Sequence, residues 1–225
     1  MCRFLETIRV EAGQPLHLEF HQARVLATAA AYGWRPLELC ETVAEILRGD
    51  VCPGGTHTPG GCGRQKLRIL YQLSANGPTV LQHELLPYHI RPVRSLVCIE
   101  AGALRYDLKF ADRSKLEQLQ PAAKDTEPLF LRHGYLTDSR YANLVLREAG
   151  GRLMTPQHPL LEGTARARLL AAGLLHTAPI HLRDLPDFQS ICLINAMLDI
   201  GDCQLPISAI RHYPGAQQLE TSAGP

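Results

Sequence analysis

Lysine is scarce in this chain. Only four occur, at positions 66, 109, 115 and 124, and subtracting them from the 23 Lys and Arg residues leaves 19 arginines, so arginine carries the ordinary surface charge. A lysine kept against that background is a candidate for chemistry that arginine cannot perform, because a desolvated amine gives up its proton and adds to a carbonyl as a Schiff base. Lys109 sits in the stretch YDLKFADRSKLEQL, residues 106–119. The competing reading is a solvated lysine on an exposed strand face, since lysine is rarely buried.

The elements around Lys109 bear on that choice. Ser114-x-x-Glu117 has the spacing of a capping box, in which the serine side chain bonds the Glu117 amide and the glutamate reaches back. A helix is therefore expected from Ser114. The preceding LRYDLKF is expected to be extended, with Leu104, Tyr106, Leu108 and Phe110 on one face and Arg105, Asp107 and Lys109 on the other. That places Lys109 at a strand end, directed away from the apolar side.

Further polar residues stand where elements begin or end. Arg24 lies in an alanine-rich segment, HQARVLATAAAYG, that reads as a helix stopping at Gly33. Asp138 ends a strand, GYLTD, and Asn143 precedes another, NLVL; both are also ordinary turn residues. Gly163 precedes a helix whose first amides, at Thr164 and Ala165, are free to hold an anion. Cys52, His57 and Cys62 share one Gly/Pro-rich loop, but their spacing is wider than the close pairs of structural zinc.

The rest of the chain alternates strands with short helices. FLETIRV and LHLEF read as two strands around AGQP, and Pro36–Arg48 as a helix ended by Gly49, with Leu37, Cys40, Ala44 and Leu47 at helical spacing. QKLRILYQL and TVLQHELL flank an Asn-Gly-Pro turn, and hairpins are expected to turn at His133-Gly134 and Gly150-Gly151. PYHIRPVRS, with two prolines, reads as a linker. The expected organisation is a small domain over 1–91, a larger strand-rich domain over 92–214, and a flexible tail over 215–225.

Taken together, these motifs resemble the class IV aminotransferases, the pyridoxal-phosphate (PLP) enzymes of fold type IV, which include branched-chain and D-amino-acid aminotransferases and aminodeoxychorismate lyase. GYLTDSRYANLVL and TPQHPLLEGTARARLL carry the resemblance, with FLETIRVEAGQPLHLEFHQARV and LKFADRSKLEQL, and it spans about residues 4–208. It implies an α+β fold of two domains, the small N-terminal α/β sandwich truncated at its front edge because the strands before the Glu-Thr strand are missing. It implies PLP as cofactor, amino acids and keto acids as small-molecule partners, and a homodimer.

The resemblance also implies roles. Lys109 would hold PLP as a Schiff base and, once displaced by substrate, shuttle the proton between Cα and the cofactor's C4′. Asp138 matches the carboxylate, usually Glu, placed against the pyridine nitrogen; it keeps the charge but is one methylene shorter. Arg24 matches the phosphate-binding arginine, and Asn143 an asparagine near the cofactor. Thr164 and Ala165 would present amides to the phosphate, although many members have a hydroxyl residue at the position of Ala165 and some at that of Ala196. Arg68, Arg105 and Arg140 are candidates for the substrate carboxylate. Transamination is the leading reaction. The alternatives are a lyase of the aminodeoxychorismate type, which uses the same lysine and cofactor, and a non-catalytic binding or structural protein of the same fold.

Composition narrows the partners. A formal net charge of +1 gives no general field for nucleic acid or an anionic membrane. Glu6 stands where a signal peptide would carry its apolar run, and no segment approaches the roughly 20 apolar residues of a membrane span. Seven scattered cysteines read as reduced thiols. The expectation is a cytoplasmic enzyme without metal.

Overall fold

The computed structural model describes residues 2–49, 56–57, 63–102 and 104–211. Cys52, Cys62 and the expected tail over 215–225 lie outside them, and of His57 only the backbone is described. The zinc reading of that loop therefore falls outside the described residues.

The first sheet comprises β1 (Cys2–Glu11), β2 (Gln14–Pro15), β3 (Thr56–His57), β4 (Gln65–Leu73) and β5 (Thr79–Pro87), in the order β2-β1-β4-β5-β3. On one face of β1, Phe4, Glu6, Ile8 and Val10 are all without exposed surface, and Leu5 on the other face is also buried. Against this face pack α1 (Leu18–Tyr32), through Val25 and Ala29, and α2 (Leu39–Arg48), through Leu39, Val43 and Ile46. Both helices end at glycines with positive φ, Gly33 and Gly49, as expected.

Two boundaries differ from the sequence reading. LHLEF is not a strand: β2 is two residues long, His17 turns the chain at φ 58°, and the helix starts at Leu18. Helical spacing runs from there through His21, Val25 and Thr28, and this continuous buried face outweighs the local strand propensity. The second helix begins at Leu39 and not Pro36, because the Gln22 side chain from α1 clamps the entry. Its amide donates to the Leu37 carbonyl at 3.1 Å and its oxygen accepts from Leu39 N at 2.7 Å.

The second sheet is built from β6 (Ser95–Glu100), β7 (Thr126–Arg132), β8 (Tyr135–Ser139), β9 (Asn143–Glu148), β10 (Leu153–Pro156), β11 (His176–Ala178), β12 (Phe188–Ile194), β13 (Gln204–Pro206) and β14 (Ile210–Arg211). Its main path is β11-β10-β9-β8-β7-β6-β14, with β12 pairing β9 and β13. The β7–β8 hairpin turns at His133 and Gly134, and β9–β10 at Gly150 and Gly151, as expected. β9 is apolar on both faces: Leu144 and Leu146 join the main core, while Val145 meets α4 (Thr164–Ala171) through Ala165 and Leu169. Mixed helices and strands make this an α+β fold.

The segment leading to Lys109 is not a regular strand. Alternation of buried and exposed residues holds from Leu104 to Asp107 and then stops. From there the backbone is captured by β1: Lys109 O accepts from Leu5 N at 3.0 Å, and Ala111 N donates to Arg3 O at 2.9 Å. Phe110 stacks on Phe4 with ring centroids 5.4 Å apart. A short helix, α3 (Ser114–Glu117), follows as expected, but without the capping box. Ser114 is its first residue, not its cap, and its amide donates to Asp112 Oδ1 at 3.0 Å.

Candidate active site

A cavity of about 400 Å³ opens between the two sheets. Lys109, Arg24, Asp138, Asn143 and Thr164, five of the six residues singled out from sequence, line it. They come from the loop before α3, from α1, from β8 and β9, and from the start of α4.

Lys109 is half-buried, and burial first, the Arg24 guanidinium second, bring its amine down from 10.5 to about 7. At neutral pH both its protonated and free-amine forms are therefore populated. The fixed loop backbone explains how the amine is held, since the Lys109 carbonyl and the Ala111 amide are both bonded to β1.

Arg24 is anchored from behind. Its Nε and Nη2 donate to the two oxygens of Glu6 at 2.9 and 2.5 Å, and His21 Nδ1 bonds the same carboxylate at 2.6 Å. Burial alone would raise Glu6, but Arg24 and His21 outweigh it and hold the carboxyl at about 2. Burial lowers His21, which therefore stays neutral and donates from Nδ1. The sequence reading did not assign Glu6 or His21. A signal was present: Glu6 is an acidic residue in the apolar register of Phe4, Ile8 and Val10, a position that demands a buried cation.

Asp138, 4% exposed, is held through both oxygens. Asn143 Nδ2 donates to Oδ1 at 2.7 Å and Leu161 N to Oδ2 at 2.9 Å. Burial raises its carboxyl to about 7, against the opposing pull of these donors. Gly163 caps α4 with extended backbone, and the amides of the first turn have no intrahelical partner. Ala165 turns its methyl into the apolar cluster with Val145 and Leu169 and so does not line the cavity; only its backbone amide belongs to this helix start.

The cavity holds more positive charge than the sequence reading assigned. Arg68 and Arg140 line it, whereas Arg105 is exposed and borders a separate cleft. Lys66 and Arg113 also line it and were not assigned from sequence. Among the described residues two buried polar atoms on these walls, Ser139 Oγ and Arg113 Nε, have no partner. No group of three or more metal-ligating side chains occurs among the described residues, and no described helix is long and apolar enough to cross a membrane.

A lysine of lowered basicity, a buried carboxylate and a helix start meet in one cavity, and the fold that holds them is shared with known proteins. The model of the amino-transferase class IV family matches residues 3–205. The chain belongs to this family. An uncharacterized protein of Haemophilus influenzae is 27% identical over 199 residues, covering 88% of this chain and 98% of the relative. A crystal structure of a candidate 4-amino-4-deoxychorismate lyase from Haemophilus somnus is 28% identical, with TM-score 0.71 over 88% of this chain and 97% of that one. A hypothetical aminotransferase from Mycobacterium tuberculosis, in PLP-bound form, shares the fold at 16% identity and TM-score 0.67, over 96% and 86% of the two chains. Class IV aminotransferases are PLP-dependent.

Proposed function

We propose that this chain is a PLP enzyme acting on amino acids, transferring the amino group to a keto acid through Lys109. The observation that carries the reading is the Lys109 amine, at about 7, lining one cavity with Arg24, Asp138 and the start of α4. The residues present fit the cofactor: an amine for its aldehyde, a cation and free amides for its phosphate, a buried carboxylate for its ring nitrogen. The unpartnered hydroxyl of Ser139 offers one more polar contact in the same wall.

Bound PLP supplies the electron sink that stabilises negative charge at the amino carbon. Arg24 commits Nε and Nη2 to Glu6, which leaves its Nη1 edge to donate to phosphate. The first-turn amides of α4 add donors and a favourable dipole. Asp138 offers negative charge in a fixed orientation because Asn143 and Leu161 hold both of its oxygens. Lys109 Nζ takes and holds the proton from the substrate's amino carbon, a role suited to a group with both forms populated near neutrality. Leu5, Leu116 and Leu160 line the same space and exclude water from that transfer.

The two sheets, each with its own apolar cluster, support a division into domains at 1–91 and 92–214 with the cofactor between them. The family resemblance supports a cytoplasmic homodimer. A lyase reaction is the second reading, favoured by the relative described as a candidate 4-amino-4-deoxychorismate lyase. The test is incubation with PLP, borohydride reduction and peptide mapping, followed by a screen of amino and keto acids. A pyridoxyl group on Lys109 and amino-group transfer to a keto acid support the first reading. Consumption of the amino substrate with no transfer supports the second, and labelling at Lys66, Lys115 or Lys124 overturns the assignment of Lys109.

A further inference from the structure

Three arginines and three carboxylates meet across the junction of the two sheets, and none of the six lines the cavity. Arg9 of β1 donates from Nε to Glu11 at 2.7 Å and from Nη1 to Asp199 at 2.5 Å. Arg168 of α4 donates to the other oxygen of Asp199 at 3.1 Å. Arg64, the residue before β4, donates from Nη1 to Asp202 at 2.7 Å and to the Met197 carbonyl at 2.5 Å. All six side chains are partly exposed, so each ion pair contributes little to stability.

Arg64 is distinguished by what it joins. Its carbonyl accepts from Tyr88 N at 2.9 Å while its side chain holds the Met197 carbonyl, and Tyr88 and Met197 both line the cavity. Tyr88 follows β5 of the first sheet, and Met197 follows β12 of the second. Met197 sits in a tight turn in which Asn195 and Leu198 exchange backbone bonds at 3.2 and 3.1 Å. Asn195 fixes that turn, its Oδ1 accepting from Met197 N at 2.7 Å and its Nδ2 donating to the Tyr141 carbonyl at 3.1 Å. Asp202 fixes the exit by accepting from Asp199 N at 2.9 Å. The turn is thus shaped from within the second sheet, and Arg64 sets its distance from Tyr88. The cofactor reading uses neither Tyr88 nor Met197, which leaves this wall for the substrate.

We propose that Arg64 is a positioning residue that determines specificity: by clamping Met197 to Tyr88 from outside the cavity, it limits the size of the group that can reach the cofactor. This rests on the reading of the cavity as a PLP active site.

The test compares methoxyamine with O-benzylhydroxylamine, two amines that displace Lys109 from PLP and differ in bulk. Each rate, followed by absorbance of the PLP-loaded protein, is divided by the rate of free PLP with the same reagent. The wild type should favour methoxyamine by about ten-fold or more, the order at which the fit of a pocket discriminates. Arg64→Met should bring that ratio towards one, Asp202→Asn should move it the same way, and Arg64→Lys should restore part of it. Arg94→Met, at an arginine whose side chain is 80% exposed, should leave it unchanged. A general loss of stability slows or speeds both reagents alike and does not move the ratio. A wild-type ratio of one, or an unchanged ratio in Arg64→Met, overturns the proposal; if Arg64→Met does not fold, Asp202→Asn decides in its place. Hydrogen exchange of the PLP-free protein reads the clamp without the cofactor: exchange over residues 195–203 should quicken in Arg64→Met while β9 stays as in the wild type, and unchanged exchange overturns the clamp. Absence of PLP uptake overturns the cofactor reading and the size limit with it, whereas uptake with an unchanged ratio overturns the size limit alone.

Discussion

Gly163 approaches Asn143 so closely that a Cβ at position 163 would lie 1.9 Å from Asn143 Oδ1. The backbone there is ordinary, φ −77°, so the need for glycine comes from this contact and not from conformation. Asn143 in turn donates to Asp138 at 2.7 Å and to the Leu161 carbonyl at 2.9 Å. The start of α4 and the buried carboxylate are thus one mechanical unit, and the proposed phosphate and ring-nitrogen contacts keep a fixed separation.

Gly163→Ala should therefore act on Asp138 without touching it. The new methyl displaces Asn143, and a buried carboxylate loses a donor, at a cost of roughly 1–3 kcal/mol. Urea denaturation should show that loss, with PLP affinity reduced as well. Gly150→Ala is the control, because a Cβ there meets nothing within 4 Å. Equal stability of the two variants would show that Asn143 moves freely.

The Glu6–Arg24 pair separates fold from cofactor binding. Arg24→Ala removes a phosphate contact, so PLP affinity should fall about ten- to a hundred-fold for roughly 1.5–3 kcal/mol. It also strands Glu6, fully buried, at a further cost of about 3–5 kcal/mol in stability. Adding Glu6→Gln removes the stranded charge, so the double variant should regain stability while PLP affinity stays low. Recovery of both together would show that Arg24 acts only through the fold.

Lys109 should make stability depend on pH in a definite direction. Its amine binds a proton less tightly in the folded chain, about 7, than in the unfolded one, 10.5. Between those values the unfolded chain holds more protons, so stability rises with pH; below about 7 the full cost of burying the cation is present. Without cofactor, Lys109→Met should be more stable than the wild type at pH 6, and the gap should shrink as pH rises towards 10.5. Thermal melts across that range would decide it. Parallel curves would show that the lysine is solvated.

How much of this was legible in the sequence depended on the kind of interaction involved. Glycine-ended helices, hairpin turns and the strand pattern of β4 and β5 are local, and they stand where the residues indicated. The start of α2 was not legible, because the Gln22 clamp comes from another helix. The Ser114 capping box failed for a related reason: Asp112, two residues earlier, reaches the amide first. Five of six candidate site residues share the cavity, yet its excess of cations was hidden behind a net charge of +1. Net charge sums over the surface, whereas a cavity gathers residues distant in sequence.

Asp138 yields the sharpest test of mechanism. Asp138→Asn removes the negative charge opposite the cofactor's ring nitrogen and so weakens the electron sink, while leaving Lys109 able to attach the cofactor. Borohydride labelling of Lys109 should persist and turnover of any amino donor should fall by orders of magnitude. Asp138→Glu restores the residue usual in the family, but this cavity is built for aspartate. Both oxygens are held, at 2.7 and 2.9 Å, and the side chain is 4% exposed, so an extra methylene must break those bonds or shift the carboxylate into the cavity. The glutamate variant should therefore bind PLP more weakly and turn over more slowly than the wild type. Single-turnover conversion of the cofactor to its amine form, followed by absorbance with one donor, compares all three proteins. A glutamate variant as fast as the wild type would show that aspartate is a tolerated shortening with no matched geometry behind it. Equal rates in the wild type and Asp138→Asn would leave Asp138 as a structural residue that only holds Asn143 and Leu161 in place.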